Sequence, residues 1–361
     1  MLSVLDFASD VQTILDARET AESNGLRYVS DDSPGIRRKK AGKGFTYRLS
    51  SGARLANPHI LRRLKALAVP PAWTDVWLCP SADGHIQATG RDARGRKQYR
   101  YHAAFREMRE SAKFEHLFVF AEALPTIRAK VAEHMAQRGL AREKVFATVV
   151  YLLETTLIRV GNDDYAKHNK SYGLTTLKSR HVAIEGSEIR FRFTGKSGKH
   201  WSLKLRDRRV AKIIRACQEL PGQELLQYFD EGGKLRAVTS GDVNAYLKEI
   251  TGQDVTAKDF RTWAGTVLAA LALKELEIFK TIAEAKRNLR ATIAQVALRL
   301  GNTPTICRKC YIHPEVLTTY LAGKLVKDEI ESEGFGKFGL LQPEEEALLV
   351  MLRARLAEPV G

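Results

Sequence analysis

The 361-residue chain is expected to fold as an α+β protein. A small β-rich N-terminal lobe should precede a larger, mainly helical lobe that carries a three-stranded meander. Three observations predict this. Short alternating runs bounded by turn residues crowd the first hundred positions. Helical periodicity dominates from Phe105 onward. The length suits about two domains at roughly 100–200 residues each. The boundary therefore falls between residues 105 and 106, giving lobes 1–105 and 106–361.

Residues 1–25 form a polar, helix-prone lead-in, and Leu26–Val29 has the character of a short strand. The basic stretch from Asp31 to Gly44 is rich in turn formers and is expected to be a loop. Strands are predicted at Phe45–Leu49, Asp75–Cys79, Ile86–Gly90 and Gln98–Tyr101, with a helix near Pro58–Leu67. Apolar residues then recur at helical spacing over Phe105–Phe120, Leu124–Arg138 and Arg142–Gly161. Val182–Ile184, Glu188–Thr194 and His200–Leu205 alternate apolar and polar residues across two turns, which predicts the meander. Helices resume at Asp207–Leu220, Ser240–Thr251, Asp259–Glu275, Ile282–Leu300 and Thr305–Ala322, and an amphipathic helix near Pro343–Leu356 ends the chain.

Lysine and arginine total 58 against 42 acids, a net charge of +16. A field of that sign raises encounter rates with polyanions and supports phosphate binding. No apolar run reaches the ~18 residues that a membrane span requires, so no membrane partner is expected. Four cysteines do not make a disulfide framework in a chain of this size, and the N-terminus lacks the basic start of a secretory signal. A cytoplasmic location is the expectation.

Several segments carry chemistry-bearing residues. Residues 91–102 interleave five cations with Tyr99 and Tyr101. Arg96 and Lys97 suit phosphates, and Gln98, Tyr99 or Tyr101 suit base edges or sugars; a solvated basic hairpin is the alternative. Arg159 lies near the end of an apolar helix beside Gly161. Gly195-Lys196 invites a phosphate-loop reading that fails, because that motif needs glycine where Arg190 stands and a helix where a strand follows. Lys196 instead sits at a hairpin tip. Lys258-Asp-Phe-Arg261 places cations at a helix start, where amides and guanidinium suit a phosphate, with Asp259 as a helix cap. Asn302, in Gly301-Asn-Thr-Pro304, is of a residue type suited to capping. Cys307-x-x-Cys310-x-x-His313 suggests zinc, but Cys79 and Cys217 lie far from it without ligand spacing. No metal is expected. Tyr311 stands between Cys310 and Ile312, with Arg308 and Lys309 close by.

In order, Leu-Ile-Arg159-Val-Gly, Gly195-Lys196, Lys258-Asp-Phe-Arg261-Thr-Trp, Gly-Asn302-Thr-Pro and Tyr311 resemble the type IB DNA topoisomerases of the bacterial and poxvirus-like branch. Gly95-Arg-Lys-Gln-Tyr-Arg-Tyr101 and Tyr172-Gly-Leu-Thr-Thr-Leu177 support the resemblance, which covers roughly residues 25–320. It implies a two-lobed clamp on double-stranded DNA, a monomer associated with the nucleoid that requires neither nucleotide nor cofactor. Tyr311 is implied as the nucleophile forming a 3′-phosphotyrosyl link. Arg159 and Arg261 would stabilise the phosphoryl oxygens, and Lys196 would protonate the leaving 5′-oxygen with Lys258 assisting. Asn302 stands where poxvirus and eukaryotic members have histidine; an amide donates a hydrogen bond but shuttles no proton. A tyrosine recombinase is the nearest alternative, although such enzymes place histidine where Lys258 stands. A non-catalytic DNA-binding protein is the other.

Overall fold

Turn chemistry and backbone pairing, more than hydrophobic alternation, organise the first part of the chain. The computed structural model describes residues 17–23, 25–276, 279–325 and 341–357. The chain divides into two compact units, one ending at Lys113 and one beginning at Phe114. The first contains β1 (Ile36–Ala41), β2 (Gly44–Arg48), α1 (Pro58–Ala66), β3 (Thr74–Leu78), β4 (Ile86–Arg91) and β5 (Lys97–Tyr101). They form an antiparallel sheet of order β2-β1-β3-β4-β5. Ile36, Leu55, Leu64, Val76, Leu78 and Ala88 make its core.

Two sequence expectations fail here. The basic stretch before Gly44 is not all loop, because β1 occupies its second half and pairs with both β2 and β3. Only Ile36 of that strand is buried, so no alternating pattern marks it. Tertiary contacts hold it instead. The Arg38 guanidinium donates to the carbonyls of Val69, Pro70 and Trp73 at 2.8, 2.8 and 2.9 Å and lies over the Phe45 ring. Conversely, Leu26–Val29 is no regular strand; among the described residues it forms the isolated bridge Arg27↔Gly84, outside the sheet strands.

The segments expected at Phe105–Phe120 and Leu124–Arg138 are one helix, α2 (Ala103–Met135), which runs through Pro125. A proline inside a helix forfeits one backbone bond and costs about 3 kcal/mol. Burial of Leu117, Phe120, Leu124, Ile127 and Val131 in the main core offsets it. Both the expected boundary at residue 105 and the division after Lys113 lie within this helix.

The second unit continues with α3 (Arg142–Thr156), α4 (Asp163–Asn169), the meander β6 (Val182–Glu185), β7 (Glu188–Thr194) and β8 (His200–Arg206), and α5 (Arg208–Gln218). A small hairpin follows, β9 (Gln227–Phe229) with β10 (Leu235–Ala237), then α6 (Ser240–Thr251), α7 (Ala257–Lys274) and α8 (Ile282–Leu300). The helix expected over Thr305–Ala322 is two, α9 (Pro304–Cys310) and α10 (Pro314–Leu321). Pro314 disfavours helical backbone at the residue before it, and His313 is extended with ψ 129°. The terminal helix α11 (Pro343–Ala357) buries Ala347, Leu348, Leu349 and Leu352. Among the described residues, no helix is long and apolar enough to cross a membrane.

Candidate active site

Arg159 owes its position to an early helix stop. Contrary to the expected extension to Gly161, α3 ends at Thr156, because Leu157 turns left-handed with φ 58°. The chain then leaves regular secondary structure, and the carbonyls of Arg159 and Val160 accept the amides of Leu174 and Thr175 at 2.9 and 2.7 Å. Gly173 is required at this crossing, since a Cβ there would stand 2.6 Å from the Arg159 carbonyl oxygen. The Arg159 guanidinium reaches across 142 positions of sequence to the Gly301 carbonyl at 3.4 Å and also donates to Asn302 Oδ1.

Arg261 lies in the second turn of α7. Thr256 caps this helix, and Asp259 acts as its reciprocal partner rather than as the cap, accepting from the Thr256 amide and hydroxyl at 2.8 and 2.9 Å. Only 3% of Arg261 is exposed. Its guanidinium donates to the carbonyls of Leu157 and Leu300, while Nε is buried without a partner. Burial, and then the charge of Arg159, push its pKa down to about 10, against a smaller opposing pull from Tyr311. Burial also lowers the pKa of Arg159. Two desolvated like charges side by side are primed for an anion, whose arrival would relieve both penalties.

Tyr311 closes α9, its amide bonded to the Cys307 carbonyl at 2.9 Å. Arg159, Arg261 and Tyr311 line the same cleft, and the Arg261 guanidinium lies 5.2 Å from the tyrosine ring centroid. The helix that supplies Arg261 also braces the tyrosine backbone. Thr266 Oγ1, which donates to the Thr262 carbonyl at 2.8 Å, lies 3.4 Å from the Tyr311 carbonyl oxygen and accepts the His313 amide at 3.2 Å.

Asn302 is neither of the caps its residue type suggested, for Gly301 ends α8 and Thr303 begins α9. Held between them, its Oδ1 accepts from Arg159 and its Nδ2 is buried with no partner. Lys196 stands exposed at the β7–β8 hairpin tip, 5.8 Å from the ring centroid of Tyr165. Arg159, Lys196, Lys258, Arg261 and Tyr311 all line one cleft of about 280 Å³, and among the described residues no acidic side chain lines it. A phenol among four cations suits nucleophilic displacement at phosphorus, where fixed donors meet charge as it develops.

The first unit treats its candidates differently. Arg96 and Gln98 are engaged by Asp92, and Lys97 by Asp31. Strand alternation places Lys97, Tyr99 and Tyr101 on one face of β5 and Gln98 on the other, so the predicted set does not act as one surface. Tyr99 and Tyr101 are exposed and stacked, with centroids 5.8 Å apart. Sequence reasoning missed Tyr165, whose helix α4 is too short to show periodicity, and Trp201, which reads as an ordinary strand residue.

Residues 102–332 match the family model described as the eukaryotic DNA topoisomerase I catalytic core. Residues 44–92 match that of the bacterial DNA topoisomerase IB N-terminal domain. The chain is 31% identical to a DNA topoisomerase 1B of Acanthamoeba polyphaga mimivirus, over 79% of this chain and 87% of that protein. Similarity to the DNA topoisomerase 1B of vaccinia virus (strain Copenhagen) is 23% over 87% and 89% of the respective chains. For the DNA topoisomerase I of monkeypox virus it is 24% over the same shares.

Proposed function

The chain belongs to the type IB DNA topoisomerases, and from that premise we propose how its residues divide the relaxation of supercoiled duplex DNA. The Tyr311 oxygen gives up its proton to solvent and attacks a backbone phosphorus, forming a 3′-phosphotyrosyl bond as the bond to the 5′-oxygen breaks. Arg159 and Arg261 donate to the non-bridging oxygens as charge grows on them. Lys196 delivers a proton to the departing 5′-oxygen, with Lys258 assisting. Asn302 adds a donor through Nδ2, a positional role with no proton transfer. Torque turns the free end, and the 5′-hydroxyl reverses the exchange, so bond energy is conserved and no nucleotide is needed.

The observation that carries this reading is that both guanidiniums line one cleft with Tyr311 and Lys196, the Arg261 guanidinium lying over the tyrosine ring. In the first unit, the stacked Tyr99–Tyr101 pair is the better-supported DNA contact. Arg96, Lys97 and Gln98 would first have to leave Asp92 and Asp31. The reading extends to a monomer working on nucleoid DNA in the cytoplasm; the free thiols of Cys79, Cys217 and Cys307 bear on the reducing compartment alone.

The test is plasmid relaxation in EDTA without ATP, on positively and negatively supercoiled DNA, with Tyr311→Phe in parallel. Wild type should relax both and form a covalent adduct, and the variant neither. A wild type that leaves both plasmids supercoiled would overturn the proposal.

A further inference from the structure

Two glycines far apart in sequence lie against one side chain. A Cβ on Gly195, the residue before Lys196, would stand 2.8 Å from Trp201 Nε1 and 2.9 Å from Cδ1. A Cβ on Gly301, the residue before Asn302, would stand 2.6 Å from Trp201 Cζ2. The indole thus touches the hairpin backbone with its pyrrole edge and the α8–α9 turn with its benzo edge. Behind it, Phe193 stacks at 6.0 Å and 2° between ring planes, held opposite by the β7–β8 register.

The surroundings make this contact consequential. Lys196, Ser197 and Gly198 at the hairpin tip are exposed. The tip is tied at its base by the Gly195 amide on the Lys199 carbonyl at 2.7 Å. A long flexible amine on such a tip is placed mainly by what the base rests on. On the other side, the Gly301 carbonyl and Asn302 Oδ1 are the groups that receive the Arg159 guanidinium. Trp201 is therefore the wedge between the strand pair carrying Lys196 and the turn that orients Arg159.

We propose that Trp201 is a positioning residue that sets the Lys196 hairpin at its working distance from the Arg159–Asn302 edge, so that the proton reaches the leaving oxygen as the phosphorus–oxygen bond breaks. The proposal rests on Lys196 as the proton donor, and its test separates the two ideas. Single-turnover cleavage is compared on an ordinary DNA substrate and on one whose 5′-bridging oxygen is sulfur. A thiolate leaves without protonation because thiols are far more acidic than alcohols. Lys196→Ala should lose rate on the oxygen substrate and recover on sulfur; failure to recover would remove the proton-donor assignment itself.

Trp201→Ala should slow the oxygen substrate by about 10–100-fold, the scale expected of a displacement near 1 Å, and leave the sulfur substrate within about threefold of wild type. Trp201→Phe should lie between, since a smaller ring cannot span both glycines. Gly195→Ala, whose methyl would press on the indole without altering it, should reproduce the split if Trp201→Ala does not fold. Equal slowing of both substrates, or of neither, while Lys196→Ala recovers on sulfur, would overturn the positioning role.

Discussion

Asn302 offers the sharpest perturbation, because its two amide atoms sit in opposite circumstances. Oδ1 accepts from Arg159, whereas Nδ2 is buried and unpartnered. A buried donor without a bond costs about 1–3 kcal/mol, a penalty removed when a phosphate oxygen takes that bond. Asn302→Ala deletes the donor. Loss of one preorganised donor typically slows chemistry by about 10²–10³-fold, equal to roughly 2.7–4 kcal/mol. Asn302→Asp deletes the same donor and adds a carboxylate facing the phosphate. Two like unit charges about 4 Å apart at an effective dielectric near 20 repel by about 4 kcal/mol, or up to three further decades in rate. Pairing with Arg159 cancels part of this. The aspartate variant should therefore cleave at least about tenfold more slowly than the alanine variant. The assay is single-turnover formation of the Tyr311 adduct at saturating DNA, resolved on a denaturing gel. A thermal melt confirms that both variants are folded. An aspartate variant cleaving as fast as the alanine variant would refute the idea that Nδ2 faces the reacting phosphate.

Three further outcomes follow from the packing. Gly265→Ala would set a methyl against the Tyr311 carbonyl oxygen; overpacking of this kind costs about 1–3 kcal/mol, and adduct formation should fall by about 10²-fold. A variant with wild-type melting and cleavage would show that α7 does not brace the nucleophile. Glu345 accepts both Arg128 nitrogens at 2.7 and 2.9 Å and the Trp263 indole at 3.0 Å. Glu345→Ala should lower stability by about 3 kcal/mol in urea melts, and a loss below ~1 kcal/mol would count against a structural role for α11. His116 lies 3.5 Å from Asp259, and their hydrogen bond raises the imidazole pKa, with burial opposing. A raised folded pKa contributes stability that is fully present below the unfolded value near 6.5 and is lost as pH rises through the folded value. His116→Gln should flatten the melting temperature between about pH 6 and 8; an unchanged slope would place the titration elsewhere.

Much of the fold was legible because its signals are local. Alternation and turn glycines marked β2 to β8 to within a residue or two, and helical spacing marked α5 to α8. Asp259 was legible as a helix-start residue, though its partner Thr256 was not. What failed depended on partners distant in sequence. Strand β1 carries almost no buried residue and exists because β2, β3 and the Arg38 contacts hold it. The stop at Leu157 needs a left-handed residue that no local motif announced.

The site divides along the same line. The order of residues established which chemical groups are present and how they are spaced: one tyrosine nine positions after an asparagine, two arginines in distinct contexts, and a lysine on a glycine turn. Composition set the charge of +16 that favours a polyanion. Packing alone brings both arginines to the cleft of Tyr311, gives Asn302 Oδ1 to Arg159 while burying Nδ2 without a partner, and sets Trp201 against two glycines 106 residues apart. It also decided that Arg96, Lys97 and Gln98 spend their charge and hydrogen bonds on Asp92 and Asp31. The reason is physical. Backbone propensity acts over a few residues and is written in local pattern, whereas desolvation, charge proximity and steric contact are properties of a packed interior and arise only once distant segments share it.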